Sequence, residues 1–251
     1  MVRRTVAPAT ALVLAAGAGT RIRAATGQTP KPLIRLTAET ILESNLRSLA
    51  SATVRQVWIN LHYQGEMIEK AIGDGVRYGV QVRYSREATL LGTAGAAKRL
   101  QRELSGGTFY VVYGDNFSNI DLGAMFALHR AHGAIATIAV FDERTATHSG
   151  IAGGRIVVEP DGRISRIDEG SGTSPYVNAG AYALEPEVLD AVPAESPSDF
   201  ARDIFPSLIA GGSRMYAYIH TGYCLAVDTP LALQRAREHA KRIDAGGDLV
   251  A

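Results

Sequence analysis

Cysteine, net charge and long apolar runs are all scarce in this sequence. Cys224 is the only cysteine among 251 residues, so no internal disulfide can form, and a reducing compartment is indicated. No apolar run approaches the roughly 20 residues of a membrane-spanning helix, so no membrane association is expected. Lysine and arginine total 26 against 25 acidic residues, and without a basic excess we expect no nucleic-acid partner. We therefore expect a cytoplasmic protein, whose 46% of hydrophobic residues suffice for a large core.

Short apolar segments alternate with amphipathic ones over about the first 140 residues. Apolar runs that end in turn residues predict strands, and apolar residues at helical spacing predict helices between them. Strands are expected at 11–16, 56–61, 80–84, 108–113 and 134–141, and helices at 39–49, 64–72, 93–104 and 122–132. This alternation predicts a Rossmann-like α/β fold, in which helices flank a mixed, mostly parallel sheet.

The pattern changes after residue 151. Alternating apolar and polar residues on both sides of Pro160-Asp161-Gly162 predict a β-hairpin. Strands are also expected at 176–184 and within 214–227, with helices near 186–192, 199–209 and 229–242. No linker separates the two halves, so we expect one domain, 1–251, with a first half at about 1–140 and a small β-rich part within about 141–251.

A glycine-rich loop follows the first predicted strand and reads Gly17-Ala18-Gly19-Thr20-Arg21, before Pro30-Lys31-Pro32. Glycine lets backbone N–H groups approach phosphate oxygens closely. The loop lacks the Gly-Lys-Ser/Thr of a Walker loop, and Ile22 replaces the third glycine of a dinucleotide fingerprint. The apolar run before the loop also suits a secretory signal, but an arginine and a lysine so placed favour a triphosphate site.

With this spacing the chain resembles the sugar-1-phosphate nucleotidyltransferases, also called nucleotide-sugar pyrophosphorylases. Their signature is an apolar strand, G-x-G-T-R and then P-K-P. The resemblance continues through LLGTAGAAK at 90–98, VVYGDN at 111–116 and YVNAGAYAL at 176–184. It implies Mg²⁺-dependent transfer of a nucleoside monophosphate from an NTP to a sugar 1-phosphate, with release of pyrophosphate. The first half would then bind the nucleotide, and the second half the phosphorylated acceptor.

The resemblance also assigns residues to roles. Arg21 is expected to hold the triphosphate and stabilise the leaving pyrophosphate, and Lys31 to lie near the reacting phosphates. Asp115 is the expected Mg²⁺ ligand. The residues expected to line the nucleotide site are Leu14, Ala16, Gly17, Ala18, Gly19, Thr20, Glu87, Gly92, Thr93 and Asp115. Those expected to contact the acceptor are Gly150, Glu169, Asn178 and Gly180.

Two departures from the family pattern leave questions open. Many relatives have Glu-Lys-Pro where this chain has Glu169-Gly170-Ser171, so the lysine that holds the sugar phosphate is missing, and Arg166 is one candidate replacement. Ala226 stands where many relatives place their second metal-binding aspartate. We expect Asp228 to be the second metal ligand, with a helix cap as its alternative role.

The substrate is therefore left as three alternatives. The first is a compact guanylyltransferase of the heptose- or mannose-1-phosphate type. The second is a cytidylyltransferase acting on a phosphonate or phosphocholine-like acceptor, which the missing lysine keeps open. The third is a non-catalytic nucleotide-sugar-binding protein. A homodimer also stays open, and the histidines show no metal-ligand spacing, with His129 and His132 expected on a helix surface.

Overall fold

The computed structural model describes residues 7–150, 153–168, 172–194 and 196–244. The strands are β1 (Thr10–Leu14), β2 (Gln56–Leu61), β3 (Gln81–Arg86), β4 (Phe109–Tyr113), β5 (Asn116–Ser118), β6 (Ala136–Asp142), β7 (Thr147–His148), β8 (Arg155–Val158), β9 (Ile164–Asp168), β10 (Tyr176–Leu184), β11 (Met215–His220) and β12 (Tyr223–Ala226). The α-helices are α1 (Arg23–Thr26), α2 (Ile41–Ser51), α3 (Gly65–Ile72), α4 (Gly92–Arg99), α5 (Gln101–Leu104), α6 (Leu122–His132), α7 (Phe205–Ala210) and α8 (Pro230–Asp244). Short 3₁₀ helices span Lys31–Leu33, Val76–Tyr78 and Pro186–Ala191, and a π-helical turn spans Phe200–Ile204.

A central sheet with strand order β11-β6-β10-β4-β1-β2-β3 organises the fold. Strand β1 lies parallel to β2 and β4, β2 lies parallel to β3, and β11 lies parallel to β6. Strand β10 is antiparallel to both β4 and β6. The predicted mixed, mostly parallel α/β sheet is thereby confirmed. The order reverses between β4 and β1, and open α/β sheets bind ligands at such a switch point, beyond the carboxyl ends of the strands.

Both faces of the sheet are buried at its centre, which explains why β1, β4 and β6 are continuous apolar runs. In β1, Ala11 and Val13 point into a core layer shared with α2 and α3, whereas Leu12 points into the opposite layer with α4 and α5. All three side chains have no exposed surface. This alternation follows from the two-residue period of a strand, and it holds β1 rigidly in the centre of the sheet.

A smaller sheet, β5-β12-β7, and the hairpin β8–β9 build the β-rich part that the sequence predicted. Cys224 lies in β12 opposite Ser118 and is fully buried, and this burial raises the pKa of its thiol to about 12. Such a thiol behaves as a small hydrophobic group. Within the described residues, no helix is both long and apolar enough to cross a membrane.

Three local expectations were wrong or incomplete. The helix expected at 93–104 is broken at Leu100 into α4 and α5, and the helix expected at 199–209 begins with the π-helical turn. Thr93 is the second residue of α4, and its hydroxyl donates to Asp199 at 2.8 Å. His129 is only 1% exposed, because its ring lies between Thr137 Oγ1 and Glu185 Oε1, at 2.9 and 3.0 Å.

Candidate active site

The glycine loop leaves β1 at the centre of the sheet. Gly19 takes a φ of +58°, which glycine adopts without strain, and the Ile22 amide donates to the Gly19 carbonyl at 3.2 Å. A Cβ at Gly19 would lie 3.4 Å from Lys31 Cγ. The loop therefore folds back against Lys31. This lysine is the first residue of the 3₁₀ helix Lys31–Leu33 and directly follows the buried Pro30.

Lys31 joins two carboxylates that come from distant parts of the chain. Its ammonium donates to Asp115 Oδ2 at 3.2 Å and to Asp228 Oδ1. Asp115 follows β4, and Asp228 follows β12. Arg21 reaches the same cluster from the loop, with its guanidinium 3.9 Å from Asp228 Oδ1, but its side chain is 65% exposed. The structure thus brings together all four residues that the sequence predicted for catalysis and metal binding.

Burial and charge act in opposite directions on these groups. Burial alone would lower the pKa of Lys31, but the charges and hydrogen bonds of Asp115 and Asp228 outweigh it, so its pKa is raised. The pKa of Asp115 is raised by burial and by the charge of Asp228, while Lys31 opposes this shift. The two carboxylates are therefore held together by a shared cation.

This donor set fits a hard cation. Mg²⁺ typically takes one or two carboxylates and completes its shell with phosphate oxygens and water. The pair Asp115 and Asp228 matches that description, and the Lys31 ammonium between them shows that the position attracts positive charge. Within the described part of the chain, no three His, Cys, Asp or Glu side chains group to hold a metal ion by themselves. A metal here would depend on substrate phosphates for the rest of its ligands.

A cavity of about 250 Å³ opens beside the glycine loop. Its lining residues are Leu14, Ala16, Gly17, Asn60, Glu87, Leu90, Gly92, Thr93, Tyr113, Asp115 and Asp199. Seven residues expected at the nucleotide site are among them. Ala18 and Gly19 instead line a small neighbouring cleft together with Lys31, and Thr20 is an exposed loop residue outside both lining sets. We refer to the cavity of about 250 Å³ as the nucleotide cavity, after the role that the sequence leads us to expect for its lining residues.

Glu87 forms a fixed wall of the nucleotide cavity. It is 6% exposed, and its two carboxylate oxygens accept from Asn60 Nδ2 at 2.8 Å and from the Leu91 amide at 3.0 Å. Asn60 in turn accepts from the Ala15 amide at 2.7 Å, which ties the glycine loop to β2. Asn60 was not predicted from the sequence, although a lone asparagine near the carboxyl end of an apolar strand was a usable signal.

A second cavity, of about 300 Å³, lies on the other side of Asp115. Its lining residues are Tyr113, Asp115, Asn116, Gly153, Gly154, Asn178, Asp199, Ala201, Arg202 and Asp228. The two cavities share Tyr113, Asp115 and Asp199, so they meet there. We refer to this second space as the acceptor cavity, after the role that the sequence leads us to expect for Asn178.

The acceptor residues expected from the sequence have different positions. Asn178 lines the acceptor cavity, and its side chain also donates to the Tyr182 hydroxyl at 2.8 Å and accepts from the Gly180 amide at 2.9 Å. Gly180 lies behind the cavity wall: with a φ of +74°, it leaves room where a Cβ would come within 2.9 Å of Tyr113 Cγ. Gly150 lies near Arg235 and is not among the lining residues. Glu169 lies outside the described residues.

Arg202, which was not predicted from the sequence, lines the acceptor cavity, whereas Arg166 does not. The Arg166 side chain is 66% exposed and pairs with Asp168 on the same strand, away from the lining of the acceptor cavity. Arg202 lines that cavity from the π-helical turn, although its side chain is also largely exposed, at 67%, and pairs with Asp203. Its signal in the sequence was weak, because an arginine in an amphipathic segment usually lies on a solvated surface.

Comparison with known proteins gives concordant results. A model described as nucleotidyl transferase matches residues 10–241. The chain is 35% identical over 225 residues to a UTP–glucose-1-phosphate uridylyltransferase of Synechocystis sp., with 82% of this chain and 57% of the relative covered. It is 30% identical over 226 residues to a mannose-1-phosphate guanylyltransferase of Mycobacterium tuberculosis, with 88% and 61% covered. The chain thus spans about three fifths of the length of these relatives.

Solved structures share the fold at low sequence identity. HddC from Yersinia pseudotuberculosis complexed with GMP-PN superposes with a TM-score of 0.75 at 21% identity, covering 92% of this chain and 98% of that one. The inositol-1-phosphate CTP transferase from T. maritima gives a TM-score of 0.75 at 18% identity, covering 96% and 98%.

Proposed function

Because this chain belongs to the nucleotidyl transferase family, we propose that it transfers a nucleoside monophosphate from an NTP to a sugar 1-phosphate and releases pyrophosphate. The observation that carries the proposal is the junction of two cavities at Asp115, beside the cluster of Lys31, Asp228 and Arg21. A reaction between two polyanions needs positive charge and accurate positioning more than a covalent nucleophile. Both are supplied at this junction.

The residues suggest the following division of work. An oxygen of the acceptor phosphate forms a bond to the α-phosphorus of the NTP, and the bond from that phosphorus to the bridging oxygen breaks, with the electron pair leaving on pyrophosphate. Lys31 lies where it can neutralise charge at the reacting phosphates, and exposed Arg21 can reach the leaving pyrophosphate. Asp115 and Asp228 would hold Mg²⁺, which supplies Lewis-acid stabilisation of phosphate charge when bound.

We propose GTP as the donor and a mannose- or heptose-type 1-phosphate as the acceptor. Guanine carries adjacent N1–H and N2–H donors, which suit a buried carboxylate, and Glu87 presents one in the nucleotide cavity. Each Glu87 oxygen already accepts one protein hydrogen bond and keeps a further lone pair. The similarity to a mannose-1-phosphate guanylyltransferase supports this choice, whereas the similarity to a uridylyltransferase makes UTP its main competitor.

The acceptor cavity favours a sugar over a choline-like group. Its side chains are mostly carboxylates and amides, which suit hydroxyl groups, and Arg202 offers a cation for the phosphate that the missing lysine would have held. A quaternary ammonium prefers a cage of aromatic rings, and Tyr113 is the single aromatic among the described lining residues. A cytidylyltransferase for phosphocholine is therefore the weaker alternative.

Pyrophosphate release tests the proposal. ATP, CTP, GTP, UTP and dTTP are each combined with mannose 1-phosphate, glucose 1-phosphate, a heptose 1-phosphate and phosphocholine in the presence of Mg²⁺. Turnover with GTP and a sugar 1-phosphate is expected, and Asp115→Asn should abolish it while the hairpin variant Asp161→Asn should not. Turnover only with CTP and phosphocholine would replace the proposed substrates. No turnover, together with tight NTP binding, would favour a non-catalytic protein.

A further inference from the structure

Residues 196–202, which we name the wall segment, connect the two cavities. The Ser198 carbonyl accepts from the amides of Ala94 and Gly95 at 2.9 and 3.2 Å, and the Ser198 amide donates to the Leu91 carbonyl at 2.8 Å. A Cβ at Gly92 would lie 2.4 Å from the Ser198 carbonyl oxygen. The loop that begins α4, at the nucleotide cavity, is therefore in tight backbone contact with the wall segment.

Thr93 adds a side-chain link to this backbone contact. Its hydroxyl donates to Asp199 Oδ2 at 2.8 Å and accepts from the Phe200 amide at 2.9 Å. Thr93 lines the nucleotide cavity, yet both of these partners belong to the wall segment. The Thr93 hydroxyl therefore makes both of these hydrogen bonds to the wall segment.

Asp199 connects Thr93 to the backbone that lines the acceptor cavity. Its Oδ1 accepts from the Ala201 amide at 2.9 Å and from the Arg202 amide at 3.1 Å. Ala201 and Arg202 both line the acceptor cavity, and Asp199 lines both cavities. These residues start the π-helical turn Phe200–Ile204, a rare conformation that is enriched at functional sites.

We infer that Thr93 is a positioning residue that acts through Asp199, so that a nucleotide bound beside Thr93 orders the acceptor wall. The inference rests on the proposed function, since it assigns the two cavities to the two substrates. A bound nucleotide restrains the loop at Gly92 and Thr93, and the hydrogen bonds of Asp199 carry that restraint to Ala201 and Arg202. A contiguous hydrogen-bonded element that both ligands contact can carry such coupling between two sites.

Hydrogen exchange at the Phe200, Ala201 and Arg202 amides measures the coupling directly. The probe is Mg·GTP, or whichever of the four other NTPs protects residues 90–98 when GTP does not. We expect the nucleotide to slow exchange of these amides about tenfold in the wild-type protein and in Thr93→Ser, which keeps the hydroxyl. In Thr93→Val, which has the same shape without the hydroxyl, slowing should fall below about twofold.

Steady-state kinetics give an independent readout. In Thr93→Val the KM for the sugar 1-phosphate should rise about tenfold while the KM for the NTP changes less than about threefold, and Thr93→Ser should restore both. Asp199→Asn is the second variant, in case the valine protein does not fold. Because the NH₂ group of that asparagine could donate to the Thr93 oxygen and keep a link, Thr93→Ala is measured beside it, since alanine removes the hydroxyl and leaves Asp199 unchanged.

Three results would overturn the inference. The first is equal slowing of exchange in the wild-type and valine proteins, and the second is an equal rise of both KM values. The third is a nucleotide that protects residues 90–98 without changing exchange at Phe200–Arg202 in the wild-type protein. If no NTP protects residues 90–98 and none releases pyrophosphate, the proposed function itself fails, and the inference fails with it.

Discussion

Replacement of Lys31 by methionine removes the cation between Asp115 and Asp228 while keeping the length of the side chain. At 3.2 Å, and with an effective dielectric constant of about 20, the attraction between the ammonium and the Asp115 carboxylate is about 5 kcal/mol before desolvation. The Lys31 side chain is only 12% exposed, so its desolvation offsets much of this gain, whereas the two carboxylates stay 25–29% exposed. We therefore expect Lys31→Met to lower the free energy of unfolding by about 1–3 kcal/mol without metal.

The same change should increase the response to Mg²⁺. In the wild-type protein the ammonium competes with a metal ion for the two carboxylates, whereas in Lys31→Met the carboxylates repel each other until a cation binds. Thermal unfolding with and without Mg²⁺ should thus show a larger metal-induced rise in Tm for the variant. The kcat for pyrophosphate release should nevertheless fall about 10²–10³-fold, because the charge next to the reacting phosphates is lost.

Lys70→Met is the matched control, because Lys70 is exposed on α3 and lines neither cavity. It should leave Tm, its Mg²⁺ response and kcat almost unchanged. The reasoning is refuted if Lys31→Met keeps kcat within about threefold of the wild-type value. An equal Mg²⁺ response in the variant and the wild-type protein would refute the electrostatic account of the cluster.

Three further predictions concern other parts of the molecule. Gly180→Ala should destabilise the fold by about 2–4 kcal/mol in urea unfolding, because the new Cβ meets Tyr113 and the φ is +74°, whereas Gly106→Ala, with open space around it, should change it by less than about 0.5 kcal/mol. Asp228→Asn should lower kcat and raise the Mg²⁺ concentration needed for half-maximal rate about tenfold or more, and an unchanged Mg²⁺ requirement would remove it from the metal site. The hydrogen bond from His129 keeps the pKa of Glu185 below its usual 4.5, against the effect of burial. The Glu185 carboxylate therefore stabilises the fold above about pH 4.5, and this contribution is lost as the pH falls through the lowered pKa. The stability difference between wild type and Glu185→Gln should therefore be largest near neutral pH and shrink below pH 4.5, and a difference that grows on acidification would contradict the sign.

The fold and the glycine loop were predictable from the sequence because their signals are local. A strand buried on both faces must be apolar throughout, so β1 was predicted from its apolar run. A loop whose backbone approaches phosphates needs glycine, so Gly17–Arg21 was predicted to be such a loop. Glu87 and Gly92 were expected from the family resemblance instead, and the structure places both in the lining of the nucleotide cavity. The resemblance to a known family added the reaction, and the confirmed family membership supports it.

The acceptor side was less readable, because its residues meet only through long-range contacts. Arg202 and Asp199 lie in a segment that sequence patterns assign to an ordinary helix, and only the packing of that segment against Leu91–Gly95 turns them toward the cavities. Gly180 carried the motif signal for a sugar contact, yet its side of the strand packs on Tyr113. His129 was expected on a surface, since no residue near it in the sequence indicates its hydrogen bond to Glu185, 56 residues away.

The sequence by itself determined the α/β sheet, the glycine loop and the identity of the charged residues, since these depend on periodicity, glycine and residue type. Only the tertiary structure decided that Asp115 and Asp228 contact the same lysine, Lys31, because these contacts need β4 and β12 to end at the same place. It also decided that Thr93 and Asp199 meet between two cavities. Hydrogen bonds and ion pairs depend on distances within a few ångströms, and residues a hundred positions apart acquire such distances only when the whole chain is packed.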